Sequence, residues 1–498
     1  MTTRTFTINV TANAGATYLN GISNFQWVKA APLASGVGKK LNDPTVWDST
    51  ANSTNAWAAI RTQLVCNDPA VLDFSGGAVD DSTKSFLMVG MGGHSASYQN
   101  AGYELSLQTP EPSWVRLSDA SVMPYTGAAT DWDSVTNNYP ANDPLFSTYT
   151  SAQRLIPARQ LDGAPRADHT CRNAQVIGTE IWYPCQNSVS GVGMTGSQRV
   201  YKYDLAYARA NKPVPSINTE PPFVALQNLT SKDANGNPTY PYTVVPWTVT
   251  NLTLGITDAF AANQAFGCAD KNGTDVWWIS SQTRHVCKID TVAGTRTTYT
   301  YAASVPYPRN SSWAVITTGG QLIWQVGNAA QLSVLTLSSA GSWGSTGTAS
   351  YATNITMPDT VAWGAVFHKG YIYMYDWISR TLYRNAVEAP APGPYFTTWE
   401  SQATFAPNLA ASGPASIAKK VYSRFNIIHN LAPDGADCLV LFSSVADSIY
   451  VCRLPRVTPS TVLPGNICLG PSRRSHRRRD SRWSATPRRM PLSTRRSK

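Results

Sequence analysis

The chain has 498 residues, of which 14% are charged and 10% aromatic, with 16 Trp and 23 Tyr. Strand-favouring residues are abundant and no helical periodicity runs beyond a few turns, which excludes a helical bundle or an α/β enzyme. The net charge of +10 lies in residues 469–498, with ten Arg, one Lys and one Asp, so the rest balances 29 basic against 29 acidic groups and is no polyanion binder.

The start, Met1 to Val10, alternates like a strand and has no apolar run of signal-peptide length, and no segment approaches a membrane span. Residues 1–24 read as an N-terminal extension. On these grounds the expected location is the cytoplasm.

Between Phe74 and Asp119 lies one four-stranded unit. Its runs are Ser75–Val79, Phe86–Gly90, Gly102–Leu107 and Trp114–Leu117, parted by turns rich in Asp, Gly, Ser and Pro. A repeated unit of about 40–50 residues with four strands is the pattern of a propeller blade. A second blade starts at Pro165–Thr170 and runs through Glu180–Tyr183 and Arg199–Asp204, with its outer strand expected near Phe223–Leu226. A third covers Gln264–Cys268, Asp275–Ile279 and His285–Asp290, with Lys271-Asn272-Gly273 as its first turn. A fourth uses Trp313–Ile316, Gln321–Val326 and Leu332–Leu337, and a fifth Ala362–Val366, Tyr371–Tyr375 and Thr381–Arg384. The sixth, Arg424 to Arg453, has three strands and stops.

A three-stranded last blade leaves an open edge, so the Phe25–Lys29 segment is expected to supply the missing outer strand. The fold class is therefore all-β: a propeller of four-stranded antiparallel blades over residues 25–468, closed by an N-terminal strand. The count is six, or seven if residues 229–257 hold another blade.

Cys171 and Cys185 flank the turn Ile177-Gly178-Thr179 symmetrically, and Cys438 and Cys452 flank Val445-Ala446 in the same way. Such positions face each other across a hairpin, so disulfides are conceivable, although the absence of a leader favours buried free thiols. No C-x-x-C pair or other metal spacing occurs, and no cofactor is expected.

Gly92-Gly93 after an apolar strand, Tyr103, Trp114, and Pro165-Arg166 with His169 make residues 74–205 resemble the kelch family of β-propellers. The first unit is similar to kelch-type propellers of bacteria and of tailed-phage virions. The resemblance implies an interaction scaffold, a virion component for host recognition or structure, with protein partners or a host-surface glycan. The alternatives it offers are a copper-dependent galactose oxidase-like enzyme or a secreted carbohydrate-binding propeller. The enzyme needs two Tyr, two His and a cross-linked Cys. The six His, at 94, 169, 285, 368, 429 and 476, form no local pair, so the reading is non-enzymatic.

Two long stretches, 118–168 and 227–258, read as blade-to-blade connections, and loops of that length are usually functional. They should share one face of the disc with the second-to-third strand loops. The binding candidates on that face are His94, Tyr98, Tyr125, Trp132, Tyr139, Arg284, Trp377 and Arg380, of the residue types that anchor interfaces. The opposite face, built of short turns, is expected to offer little. The Arg-rich segment 469–498 reads as a solvated tail, a reading-frame change or, alone in this chain, a route to nucleic acid.

Overall fold

The first strand, β1 (Trp27–Ala31), finds its partner at the other end of the propeller. It pairs antiparallel with β24 (Ile449–Arg453), Trp27 opposite Cys452 and Val28 opposite Val451. Phe25 N–H donates to Arg453 O at 2.6 Å and continues the pairing. Behind β24 lie β23 (Cys438–Phe442) and β22 (Phe425–Ile428), so the N-terminal strand completes a sheet that would otherwise expose an edge. The computed structural model describes residues 15–41, 43, 72, 75–89, 101–118, 172–185, 199–212, 247–253, 267–280, 283–306, 308, 313–326, 331–340, 350–352, 364–409 and 421–456.

Five further four-stranded antiparallel sheets follow in chain order. Blade 1 is β2 (Ala78–Asp80), β3 (Ser85–Met88), β4 (Gly102–Ser106) and β5 (Trp114–Ser118). Blade 2 is β6 (Gln175–Ile177), β7 (Glu180–Cys185), β8 (Arg199–Asp204) and β9 (Trp247–Thr253). Blade 3 is β10 (Gly267–Asn272), β11 (Asp275–Ser280), β12 (His285–Asp290) and β13 (Thr295–Thr300). Blade 4 is β14 (Ala314–Ile316), β15 (Gln321–Val326), β16 (Gln331–Thr336) and β17 (Ser350–Ala352). Blade 5 is β18 (Gly364–His368), β19 (Tyr371–Asp376), β20 (Thr381–Ala386) and β21 (Glu400–Ser401). Each inner strand touches the next, β2 to β6, β10, β14, β18, β22 and back to β2, so the ring is closed.

Second strands such as β3 and β23 are buried along their whole length, because each is covered by a blade on either side. That is why they read as unbroken apolar runs rather than as alternation. The outer strand β13, with one face open, alternates between exposed and half-buried residues. Glycine opens inner strands where an aromatic ring of the second strand lies flat on the backbone. A Cβ on Gly267 would sit 2.1 Å from the Trp278 ring, and one on Gly77 2.4 Å from Phe86.

Three expectations need correction. The outer strand of blade 2 is β9, inside the stretch read as loop 227–258, while Phe223–Leu226 lies outside the described residues. With that stretch used by blade 2, the described sheets number six, the count read from the sequence. Residues 15–24 are no free extension: Ala16 and Leu19 are buried in the cluster of Met88, Tyr103 and Leu107, and Tyr18 Oη donates to Leu107 O at 3.0 Å. Cys438 and Cys452 do not face each other, because Cys438 pairs with Arg453 and Cys452 with Leu439. That one-residue offset turns the thiols to opposite faces of the sheet, Cys438 into the core shared with blade 1 and Cys452 into that shared with blade 5, and both are free. Cys171, the side chain of Cys185 and the 469–498 segment lie outside the described residues.

Candidate functional site

All inner strands run the same way around the channel, so strand alternation assigns every loop to a face. Second-to-third strand turns share one face; first turns and third-to-fourth connections share the other. Arg284, in the turn before β12, and Trp377 and Arg380, in the turn between β19 and β20, therefore occupy one face. The blade 5 turn is rigid: buried Asp376 accepts from Ile378 N at 2.8 Å, from Ser379 N at 3.3 Å and from Ser379 Oγ. Its tip presents Ile378, 58% exposed, and Arg380 at a φ of 57°. Trp377 instead packs, half-buried, against the core between blades 5 and 6. His94, Tyr98, Tyr125, Trp132 and Tyr139 lie outside the described residues.

The opposite face, expected to be bare, borders the channel pocket. A cavity of about 190 Å³ lies among all six inner strands, lined by Val79, Gln175, Asp270, Ile316, Val366 and Asn426, one from each blade, with further neighbours including Asp81, Arg172, Lys271 and His429. Asp81, Lys271, Ile316 and His429 sit at the ends of inner strands, so the pocket occupies the half of the channel next to the first turns. Arg172, only 5% exposed, crosses from blade 2 to the opposite blade 5, where Nη1 donates to Ala365 O at 2.5 Å. Its Nη2 lies 3.8 Å from Asp270 Oδ2, and its buried Nε has no hydrogen-bond partner.

The other polar groups lock neighbouring blades. Gln175 Nε2 donates to Ala269 O at 2.9 Å and Lys271 Nζ to Val176 O at 3.0 Å. Asp270 Oδ2 accepts from Ile316 N at 2.7 Å, and Asp81 Oδ1 from His429 N at 2.8 Å. Such satisfied networks hold a site in one geometry.

Two ionic clusters lie on this same face. Between blades 1 and 2, Arg209 of the short helix α1 (Leu205–Ala210) donates from Nη2 to Asp80 Oδ2 at 2.8 Å and to Glu104 Oε1 at 2.6 Å, with Nε also reaching Glu104 at 3.0 Å. Burial works to raise Asp80, but hydrogen bonds from Ser82, Arg209 and Thr83 hold it below its ordinary value. Between blades 5 and 6, Asp437 stands just before β23. Lys369 Nζ donates to its Oδ2 at 2.7 Å and Asn430 N to its Oδ1 at 2.8 Å. His429 Nδ1 is 3.5 Å from Oδ1 and His368 Nε2 is 3.2 Å from Oδ2. His368 is 6% exposed, and its Nε2 is outside hydrogen-bonding geometry. Burial pushes the His368 imidazole down to about 4, while the Asp437 carboxylate raises His429.

Short spacing along the chain does not reveal this second cluster, which is why the histidines read as unpaired in the sequence. His368 ends the inner strand of blade 5 and His429 follows that of blade 6, so the blade repeat itself brings them to the same level. Equivalent positions in consecutive repeats carry the signal.

No family model matches the chain, and no curated protein matches it. Among solved structures it is similar to a chain of a nidogen/laminin complex, at 11% identity over 63% of this chain and 75% of that one with a TM-score of 0.30. It is also similar to a catalytically inactive virginiamycin B lyase from Staphylococcus aureus solved with quinupristin, at 11% identity, 76% and 94% coverage and a TM-score of 0.34. A streptogramin B lyase structure matches at 9% identity, 77% and 94% coverage and a TM-score of 0.31. At these scores none of them bears on the chemistry of the channel.

Proposed function

We propose that this propeller is a non-enzymatic binding protein whose channel pocket receives a small hydrogen-bond acceptor from its partner. The acceptor is a side-chain carboxylate or amide, or a sugar oxygen. The observation that carries this reading is Arg172: a buried guanidinium, bonded through Nη1 to Ala365 O, that lines an open cavity together with residues of all six blades. A hydrogen bond to such a charged donor contributes about 1.5–3 kcal/mol. Gln175, Lys271, Asp270 and Asp81 bond to the backbones of neighbouring blades, an arrangement suited to a preformed binding surface rather than to an activated nucleophile.

The partner is a host-surface glycan or a protein, and the protein serves as a recognition or structural component of a virus particle. That placement rests on the likeness of the first unit, Phe74 to Asp119, to kelch-type propellers of bacteria and of tailed-phage virions. The experiment is a binding screen of the full chain against a glycan array and host-surface protein extract, beside mass spectrometry of purified particles. Binding that Arg172→Lys weakens while the melting temperature holds, and presence of the chain in particles, are expected. Binding untouched by Arg172→Lys overturns the role of the pocket, and absence from particles overturns the virion placement.

A further inference from the structure

We propose that His368, His429 and Asp437 form a binding site for a zinc-class divalent metal ion, bridging blades 5 and 6. The proposal does not depend on the binding reading of the channel. Three donor atoms, His368 Nε2, His429 Nδ1 and a carboxylate oxygen of Asp437, all lie within 4.8 Å of one another. Tetrahedral ligands at the usual zinc distance of about 2.0 Å stand about 3.3 Å apart. His368 Nε2 lies 3.2 Å from Asp437 Oδ2 and His429 Nδ1 lies 3.5 Å from Oδ1, so the two imidazoles approach the two oxygens of one carboxylate at close to that spacing. Two imidazoles and one carboxylate suit zinc, cobalt or nickel rather than calcium or magnesium, which prefer all-oxygen shells.

A second observation points the same way. His368 is almost wholly buried, yet Nε2 faces the carboxylate without hydrogen bonding to it. A metal ion would satisfy both groups. Lys369 is the built-in competitor, because its ammonium already meets Asp437 Oδ2. Its side chain is 39% exposed, so it can swing into water when the metal arrives. Three protein ligands leave a fourth position for water or a donor from a partner, reached past the partly exposed His429 at the rim of the pocket.

The test uses the full chain, stripped with chelator and titrated with Co²⁺ followed by ligand-field absorption, then with Zn²⁺ in competition. One equivalent of Co²⁺ should give a saturable tetrahedral band that Zn²⁺ abolishes. His429→Ala, on a partly exposed turn, should weaken binding by more than about tenfold. His368→Ala should do the same, with circular dichroism checking that each variant is folded. Lys369→Gln should shift the titration to lower metal concentration, which a purely structural ion-pair cluster would not do. No band with native protein, or a band that survives His429→Ala unchanged, overturns the site. A Lys369→Gln variant that binds more weakly overturns the competitor role.

Discussion

The two ionic clusters on the pocket side of the disc do the same mechanical task in different chemical ways. Between blades 1 and 2, Arg209 carries a charge that does not titrate in water and divides it between two carboxylates, Asp80 and Glu104. Between blades 5 and 6, one carboxylate, Asp437, faces a lysine and two histidines. The first is saturated and fixed. The second has more cationic groups than carboxylate to receive them, and its histidines, unlike arginine, gain and lose protons in the accessible pH range. A seam closed by arginine is a rivet, whereas a seam closed by histidine and lysine can be retuned by protons or by metal.

The largest effect should come from removing the rivet. Arg209→Met leaves Asp80 and Glu104 facing each other almost buried, and should cost about 3 kcal/mol in urea unfolding. A loss under about 1 kcal/mol would mean the two seams are equivalent surface pairs. Asp437→Asn removes the negative charge that Lys369 and His429 meet and should cost about 2 kcal/mol. The seams should then part company with metal. Zinc at about a hundred times its Kd should raise native stability by about 2.7 kcal/mol and leave Asp437→Asn unmoved.

The pH response separates the two further. Asp80 sits below its ordinary value of 3.8 in the fold, so its contribution is present above that value and is lost as pH falls through the folded value. His368 is held neutral down to about 4 against an ordinary 6.5, so its contribution is lost as pH falls across that window. His429 is raised, so its contribution is present below 6.5 and is lost as pH rises through its folded value. Denaturation against pH should therefore show an acid limb that His368→Gln shortens and a weaker neutral limb that His429→Gln removes. A profile identical in both variants would contradict the assignment.

The smallest effect is expected on the other face. Ile378→Ser, at an exposed turn tip, should change stability by no more than about 0.5 kcal/mol and leave pocket binding intact. If Ile378→Ser abolishes partner binding, the recognition face is the one bearing Arg284 and Arg380, not the pocket.

Much of the architecture is legible in the residues alone. The runs at Phe86, Trp114, Tyr371 and Leu439 are strands, and the missing fourth strand of the last blade identifies Trp27 as its partner. The candidate site is less legible. Arg284, Trp377 and Arg380 lie on one face, but Trp377 spends its ring on the core. Nothing local marks Arg172 as the residue that spans the channel, since its acceptor, Ala365, is a backbone group in the opposite blade.

By itself the sequence determined most inner strands and their turns, because the period of two and the chemistry of turns are local properties that each hairpin carries alone, and the open edge of the last blade pointed to the strand that closes the ring. Tertiary structure decided the rest. Register was one such matter: a single residue of slip sent Cys438 and Cys452 to opposite faces, and side-chain symmetry about a turn does not reveal such a slip. Apposition was the other. His368, His429 and Asp437 meet because blades 5 and 6 stack at one level, a contact between consecutive repeats that no short spacing along the chain displays.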